Sequence, residues 1–349
     1  MCSNCDCDRV PKEVGLTSQP ESCCKRCGAD PFIILDKVHI FCKKCLLESC
    51  NKKIRSTIGK SKLVRNNDRI LIAYSGGSSS SALLDLIKNS IQYETRREQR
   101  FRPSILHVCT ESALNPNSSP EARLSALTNL LQSIYELYPD WPIYWSTLEV
   151  AALHSDSPLC ADQTIYHKYQ GRDSMTMTNL SSLLLNDRAR FRLLKLMESL
   201  DMTDRERYVK DQTISSILDI ANKINLDSSD PADLFKFVFT GSNTTRLANN
   251  LLVEVILGSG ANIRSTVDVC NRKTKVPIFR PMREFSDKEV AFYLRARGVN
   301  FHFKPNLSTL ADKKASIQKL TESFLSKLYV EYPSTYSTLL KTGDKMKDV

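Results

Sequence analysis

The stretch that decides the fold reads Arg69-Ile70-Leu71-Ile72-Ala73-Tyr74-Ser75-Gly76-Gly77-Ser78-Ser79-Ser80-Ser81. Its apolar first half predicts a buried β-strand, and the apolar positions that follow the serines predict a helix. Two glycines allow the backbone to wrap closely around an anion, and the first N–H groups of the helix would point at that anion. The stretch lacks the Gly-Lys-Ser/Thr ending of a Walker A loop.

This turn is therefore a candidate phosphate loop of a different kind. Its candidate nucleotide-binding residues are Ser75, Gly76, Gly77, Ser79 and Ser80. The competing interpretation is an ordinary strand-to-helix turn, because serine and glycine are common at the start of helices. The position of the turn, after the first strand of an alternating strand and helix pattern, favours the nucleotide site.

Further along the chain, short apolar runs alternate with helical patterns. Strands are predicted for residues 104–109, 142–147 and 235–240, and Ser286 with Glu289 forms a capping box that opens a helix. Strands separated by helices imply an α/β fold with a parallel sheet covered on both faces. The predicted domains are residues 1–60 (leader, four-cysteine module and basic helix), 61–305 (α/β domain with a helical insertion at about 150–233) and 306–349 (helical tail).

The amino-terminal region contains the pattern C-x2-C-x14-C-x2-C, formed by Cys24, Cys27, Cys42 and Cys45. Such pairs on tight turns are typical of a tetrahedral zinc site, and the apolar runs between them predict a hairpin that brings the pairs together. The sequence therefore predicts structural zinc, with reduced buried thiols as the alternative. Cys23 is an open alternative to Cys24 as ligand. Four thiolates leave no coordination position for a substrate, so the ion would be architectural.

Positive charge is concentrated just after these cysteines. The chain has a net charge of +10, and between residues 41 and 65 there are eight Lys or Arg and one acid, Glu48. Such a patch favours a polyanion such as a nucleic acid, although a solvated surface is the plain alternative. The candidate nucleic-acid-binding residues are Lys43, Lys44, Lys52, Lys53, Arg55, Lys60, Lys62 and Arg65.

The composition narrows the class of protein. Hydrophobic residues make up 41% and charged residues 25% of the 349 residues, which argues against a mainly disordered chain. No apolar run approaches the roughly 18 residues of a membrane span, and no secretory signal is recognised. Nine of the twelve cysteines lie at or before Cys50, which fits metal binding in a cytoplasmic protein better than a disulfide framework.

Taken together, these motifs resemble those of the cytosolic tRNA 2-thiolation protein subunit 2 family, in the PP-loop ATP pyrophosphatase (adenine nucleotide hydrolase-like) superfamily. That superfamily's loop usually reads Ser-Gly-Gly-x-Asp-Ser, and Ser75, Gly76, Gly77 and Ser80 match it. The further matches are Thr240-Gly241-Ser242-Asn243, Gly258-Ser259-Gly260, the run from Phe279 to Tyr293, Lys314-Ala315-Ser316-Ile317 and Tyr332-Pro333-Ser334-Thr335. The resemblance covers most of residues 24–345.

The resemblance implies 2-thiolation of the wobble uridine in cytosolic tRNAs of the Lys, Glu and Gln type. ATP would activate the 2-oxygen, and sulfur would arrive as a thiocarboxylate on a ubiquitin-related carrier, as in the protein urmylation pathway. The expected partners are tRNA, the carrier and a catalytic sister subunit in a heterodimer, with no membrane involved.

The departures from the family pattern bear on the role of this chain. Catalytic relatives have acids where this chain has Ser79, Thr245 and Arg246, and a cysteine where it has Phe279. Because Mg²⁺ needs oxygen ligands, preferably anionic, the departures argue against Mg-ATP chemistry here, and no residue is assigned a catalytic role. A subunit that binds tRNA and supports its sister is the first hypothesis. The alternatives are a self-sufficient PP-loop adenylating enzyme, and an RNA-binding zinc protein on a decayed enzyme fold.

Overall fold

The computed structural model of the chain is described for part of its length, and the structural statements below concern that part. The described residues are 23–35, 39–92, 101–149, 165–171, 187–259, 263–302, 307 and 316–346. The predicted leader, with Cys2, Cys5 and Cys7, lies outside them, as do Cys160 and the first half (Lys314 and Ala315) of the Lys314-Ala315-Ser316-Ile317 match. None of the described helices combines the length and the apolarity needed to cross a bilayer.

In the part of the chain that the structure describes, nine strands form a two-stranded hairpin and a seven-stranded sheet. They are β1 (Ile33–Leu35), β2 (His39–Phe41), β3 (Arg69–Ala73), β4 (Arg102–Cys109), β5 (Ile143–Thr147), β6 (His167–Tyr169), β7 (Phe235–Thr240), β8 (Cys270–Asn271) and β9 (Ile278–Phe279). The order in the large sheet is β6-β5-β4-β3-β7-β9-β8. Its five central strands run parallel, and β6 and β8 join the edges antiparallel. The predicted α/β class is confirmed.

The described helices follow the strands in alternation. They are α1 (Lys43–Ser61), α2 (Ser78–Gln92), α3 (Glu111–Leu114), α4 (Pro120–Leu137), α5 (Asp187–Ser199), α6 (Met202–Asp227), α7 (Thr244–Ile256), α8 (Ile263–Val267), α9 (Asp287–Arg297), α10 (Ile317–Glu331) and α11 (Thr335–Lys345). Local sequence explains several of their ends. Ser286 and Glu289 make the predicted capping box at α9, and Gly298 ends that helix in the left-handed conformation, at φ 68°.

The central strand β3 is buried on both faces. Ile70 and Ile72 contribute to the largest hydrophobic core, together with side chains of α2 and α9. Leu71, which points the other way, packs with Val238 of β7 and with Ile220 of α6. A continuous run of β-branched and leucine residues is what a strand covered on both faces requires.

The amino-terminal module shares its core with the α/β domain. Leu46, Ile54 and Ile58 of α1 are almost completely buried and lie in the same cluster as the strand β3. Leu35 of β1 belongs to that cluster too. The division into three domains stays a prediction, but the apolar surface of the module is not separate from that of the sheet.

Helix α9 also holds this module by polar contacts. Lys53 Nζ lies 2.6 Å from Glu289 Oε1, and Lys288 Nζ donates to the carbonyl of Ile34 at 2.7 Å. On the other side, Arg297 makes two bonds to the buried Asp85 of α2, at 2.9 and 3.1 Å. One helix thus connects the module to the helix that follows the candidate phosphate loop.

Candidate functional site

The candidate phosphate loop lies at the carboxyl edge of the sheet, between β3 and α2. Gly76 has φ +86°, in the left-handed region that a residue without a side chain adopts readily. Its carbonyl accepts a hydrogen bond from the N–H of His302 at 2.9 Å. The positive φ at this position therefore favours glycine over other residues.

The serines of the loop bind to one another and to the backbone. Ser80 Oγ donates to the carbonyl of Gly77 at 2.9 Å and lies 3.2 Å from Ser75 Oγ. Ser75 remains exposed, whereas Ser79 and Ser80 are buried. Ser75 thus has the exposed hydroxyl of the loop, and hydroxyl and amide donors suit an oxyanion.

The second matched motif lies directly against the loop. Because β3 and β7 are neighbouring parallel strands, Ala73 stands opposite Thr240 and the two following turns meet. Asn243, which is fully buried at the start of α7, donates to Ser79 Oγ at 3.1 Å and also bonds to Asp287 Oδ1. The structure therefore places both motifs together and fixes the buried serine with an amide from the second motif.

Gly241 is where these two turns make their closest approach. A Cβ at this position would lie 3.0 Å from Ser80 N and 3.1 Å from Ser79 C and O. We expect Gly241→Ala to push the second motif away from the phosphate loop and to lower the free energy of unfolding by about 1–3 kcal/mol. Urea unfolding of the full chain measures this change.

The matched control is Gly77→Ala. A Cβ on Gly77 would meet only Ser75 Oγ, at an ordinary 3.6 Å. This variant should cost less than about 1 kcal/mol, the scale of an unfavourable residue at a helix start. Equal unfolding midpoints for the two variants would contradict the close packing of the motifs.

A cavity of about 430 Å³ lies beside the loop, at the carboxyl end of β4. This volume is within the range of small-molecule sites. The polar or reactive residues that line it include His107, Cys109, Glu111, Asn115, Arg123 and His302. The buried Arg123 bonds to Ser112 Oγ and lies 3.7 Å from Glu149 Oε1, so its charge is balanced within the protein. Sequence reasoning missed this cavity because its residues follow no short motif.

The four predicted metal ligands do converge. The sulfur atoms of Cys24, Cys27, Cys42 and Cys45 all lie within 4.8 Å of one another. A tetrahedral ion with bonds of about 2.3 Å would place its sulfurs about 3.8 Å apart, so the set fits a single ion. Cys23 is exposed and lies outside this set, which favours Cys24 as the fourth sulfur.

Local backbone contacts hold these thiols in place. Cys42 caps α1, and the N–H of Cys45 reaches its sulfur at 3.4 Å. A backbone hydrogen bond from Cys42 lowers the pKa of Cys24 to about 6. The side-chain contact with Cys27 raises the pKa of Cys45 to about 12, because crowded thiols resist ionising together. A cation bound by the four sulfurs would offset this repulsion and favour the thiolate form of each cysteine.

The other cysteines of the described chain are separate from this set. Cys50 is buried in the core, and burial raises the pKa of its thiol to about 12. Cys270 lies in β8 opposite Phe279, which is itself buried and 5.1 Å from the ring of Phe239. Phe279 is thus a core residue at the position where catalytic relatives are expected to have a cysteine.

The predicted tRNA-binding cations do not form one uniform face. Lys53 is engaged by Glu289 and half-buried, and Arg55 is half-buried with its Nε donating to the carbonyl of Asn51. The other six are exposed, namely Lys43, Lys44, Lys52, Lys60, Lys62 and Arg65. Lys25 and Arg26 extend the charge between the first two cysteines. In the sequence, these two cations are recognisable as the residues between Cys24 and Cys27.

No family model matches the chain. Cytoplasmic tRNA 2-thiolation protein 2 of Danio rerio is 27% identical over 99% of this chain and 70% of its own length. The proteins of the same name from Xenopus tropicalis and Homo sapiens are 29% and 26% identical, over 93% and 96% of this chain and 68% and 69% of their own lengths.

A solved structure shares the fold. The U34-tRNA thiolase NcsA from Methanococcus maripaludis, determined with its [4Fe-4S] cluster, superimposes with a TM-score of 0.59 and 13% identity. The match covers 94% of this chain and 87% of NcsA. The chain therefore shares the α/β fold of this thiolase. In sequence it is similar to cytoplasmic tRNA 2-thiolation protein 2 of several vertebrates over nearly its whole length.

Proposed function

We propose that this chain is the tRNA-binding, supporting subunit of a cytoplasmic complex that 2-thiolates the wobble uridine of tRNAs of the Lys, Glu and Gln type. Its catalytic sister subunit would carry out adenylation and sulfur transfer within a heterodimer. The sulfur would come from a thiocarboxylated ubiquitin-related carrier. The likeness to 2-thiolation protein 2 over nearly the whole chain supports the pathway, and the loop chemistry supports the role.

The observation that carries the role is the nature of the residues at the motif positions. Ser79, Thr245 and Arg246 provide two hydroxyls and a cation where catalytic relatives of the resembled superfamily have acids. Mg²⁺ prefers anionic oxygen ligands. Hydroxyls and a guanidinium at these positions would therefore hold the Mg²⁺ of a bound nucleoside triphosphate poorly. Ser79 is also committed to Asn243 inside the protein. The loop would accordingly bind a phosphate group by hydroxyl and N–H donors without the chemistry of ATP cleavage.

We assign the ion of the cysteine module as Zn²⁺, held by Cys24, Cys27, Cys42 and Cys45. Four sulfurs within 4.8 Å of one another form the closed set that structural zinc prefers. When bound, the ion would tie the hairpin β1–β2 to the start of α1. Its role would be to hold the nearby cations in place.

The proposed tRNA surface consists of the exposed cations of α1 and the two that lie between the first cysteines. Lys44 and Lys52 are two turns apart on the solvent side of α1, away from the buried Leu46 and Ile54. Regularly spaced cations on one side of a helix suit the phosphates of a nucleic acid. Lys53 is left out of this surface because it pairs with Glu289.

Reconstitution tests the proposed role. This chain, the sister subunit, and the two together are each incubated with tRNA, ATP, Mg²⁺ and a sulfur donor, and 2-thiouridine is measured by mass spectrometry of the digested tRNA. We expect product from the pair and none from this chain alone.

The other outcomes separate the alternatives. Thiolation or ATP turnover by this chain alone, abolished in Ser80→Ala, would establish the self-sufficient enzyme instead. Full activity of the sister subunit without this chain would favour an RNA-binding zinc protein with no part in thiolation.

A further inference from the structure

Helix α5 presents an aromatic side chain to solvent. Phe191 is 67% exposed, more than any other described phenylalanine. Arg192 and Lys195 are exposed beside it. A single exposed apolar side chain is ordinary on a protein surface, so the case for a binding role rests on the cations around this ring.

The geometry of α5 places this ring in the middle of its outer side. Leu193 and Met197 are buried, four residues apart, and define the inner side of the helix. Phe191 and Lys195, also four residues apart, are therefore neighbours on the opposite side. Residues 190–199 of this helix include three cations (Arg190, Arg192, Lys195) and one acid (Glu198), which gives this segment a net charge of +2.

The inner side of α5 is attached near the cavity beside the phosphate loop. Leu193 and Met197 pack with Ala113 of α3, the short helix whose Glu111 and Leu114 line that cavity. Arg190 Nη2 donates to the carbonyl of Pro116 at 2.6 Å, just beyond α3. The exposed ring thus stands on a helix that is fixed to one wall of the cavity.

We propose that α5 is a binding platform for single-stranded RNA, on which a base stacks against Phe191 while Arg192 and Lys195 contact flanking phosphates. The proposal rests on the proposed tRNA-binding function and adds a second contact surface to that of α1. An aromatic ring between cations matches the chemistry of single-stranded nucleic acid, which offers flat π-faces joined by anionic groups. Unpaired bases, such as those of a tRNA loop, are the segments that proteins read in this way.

The experiment measures binding of a short fluorescein-labelled oligouridine to the full zinc-loaded chain. We expect Phe191→Ala to weaken binding about five-fold or more, which is the lower end of the range measured when the stacking of one base is lost. The double variant R192A/K195A should weaken binding and reduce the slope of log affinity against log salt by about 1.4, at about 0.7 per phosphate contact on single strands.

Two controls separate stacking from a general loss of apolar surface. Phe324, on α10, is 58% exposed, and Phe324→Ala removes the same side chain from another helix. This variant should bind oligouridine like the original chain. Phe191→Trp should keep the affinity, and its added indole fluorescence should be quenched by the RNA, which a merely structural role of residue 191 would not produce.

The outcomes distinguish this inference from the proposed function. If the original chain binds tRNA and oligouridine but Phe191→Ala binds both equally well, the platform is wrong and the tRNA-binding function stands. If the original chain binds neither RNA, both are overturned. Binding of α5 to anionic phospholipid vesicles, lost in Phe191→Ala while RNA binding is unchanged, would assign the surface to a membrane and also overturn the proposal.

Discussion

Replacing Cys27 with serine is expected to release the metal ion and to disorder the cysteine module, while the seven-stranded sheet stays folded. The Cys27 sulfur lies 3.5 Å from both Cys42 and Cys45 and is central to the set. Structural zinc contributes about 10–16 kcal/mol to the folding of small zinc modules, and the loss of one thiolate removes much of that. Helix α1 should persist in part, because Leu46, Ile54 and Ile58 are anchored in the main core.

Elemental analysis gives the metal content, and hydrogen exchange by mass spectrometry locates the loss of structure. Cys23→Ser is the matched control, because it changes the same atom at the exposed neighbour of a ligand. That variant should keep one zinc per chain and the exchange pattern of the original. A full complement of zinc in Cys27→Ser, or its loss in Cys23→Ser, would contradict the ligand assignment.

The affinity of the chain for tRNA is expected to fall about a thousand-fold between ~50 and ~200 mM salt. This estimate assumes about six phosphate contacts, each of which releases a condensed counterion. Six of the predicted cations are exposed around α1, which is the number that the estimate requires. Fluorescence anisotropy with labelled tRNA at several salt concentrations gives the slope.

A triple variant tests whether the α1 cations make these contacts. Replacing Lys43, Lys44 and Lys52 by alanine should reduce the salt slope by about 2.7, at about 0.9 per contact, and leave the zinc content unchanged. The control replaces Lys327, Lys341 and Lys345, three exposed lysines of α10 and α11, and keeps the same net charge as the first variant. Equal slopes in both variants would show that only the total charge matters.

The sequence was most informative where a local pattern determines the structure. The run from Ile70 to Ala73 is apolar throughout because β3 is covered on both faces, and it was recognised as a strand for that reason. The spacing of the four cysteines likewise predicted a set that the structure brings together. The hairpin between them is confirmed as β1 and β2.

Elements held by tertiary contacts were not predictable in this way. Strands β6, β8 and β9 have two or three residues each, and β6 and β9 depend on pairing with strands distant in the sequence. The insertion was expected to be helical or irregular, and β6 corrects that expectation. Helix α1 extends two residues past Gly59 to Ser61, because Lys62 adopts the left-handed conformation and caps it.

The candidate site also depends on contacts that cannot be predicted from the sequence. Charge counting grouped Lys53 with the other cations, and only the fold reveals that Glu289, over two hundred residues later, neutralises it. The pairing of Asn243 with Ser79 depends on the adjacency of β3 and β7 in the sheet. The cavity and the exposed Phe191 follow from packing and have no sequence signature.

The first turn of α9 has a consequence for how a long ligand could lie on this protein. Its three consecutive residues bind the hairpin through Lys288, α1 through Glu289, and the asparagine of the second motif through Asp287. These contacts link α1 to the glycine turn through one helix, so the spacing between the two would determine how far apart a single RNA has to present its phosphates to reach both.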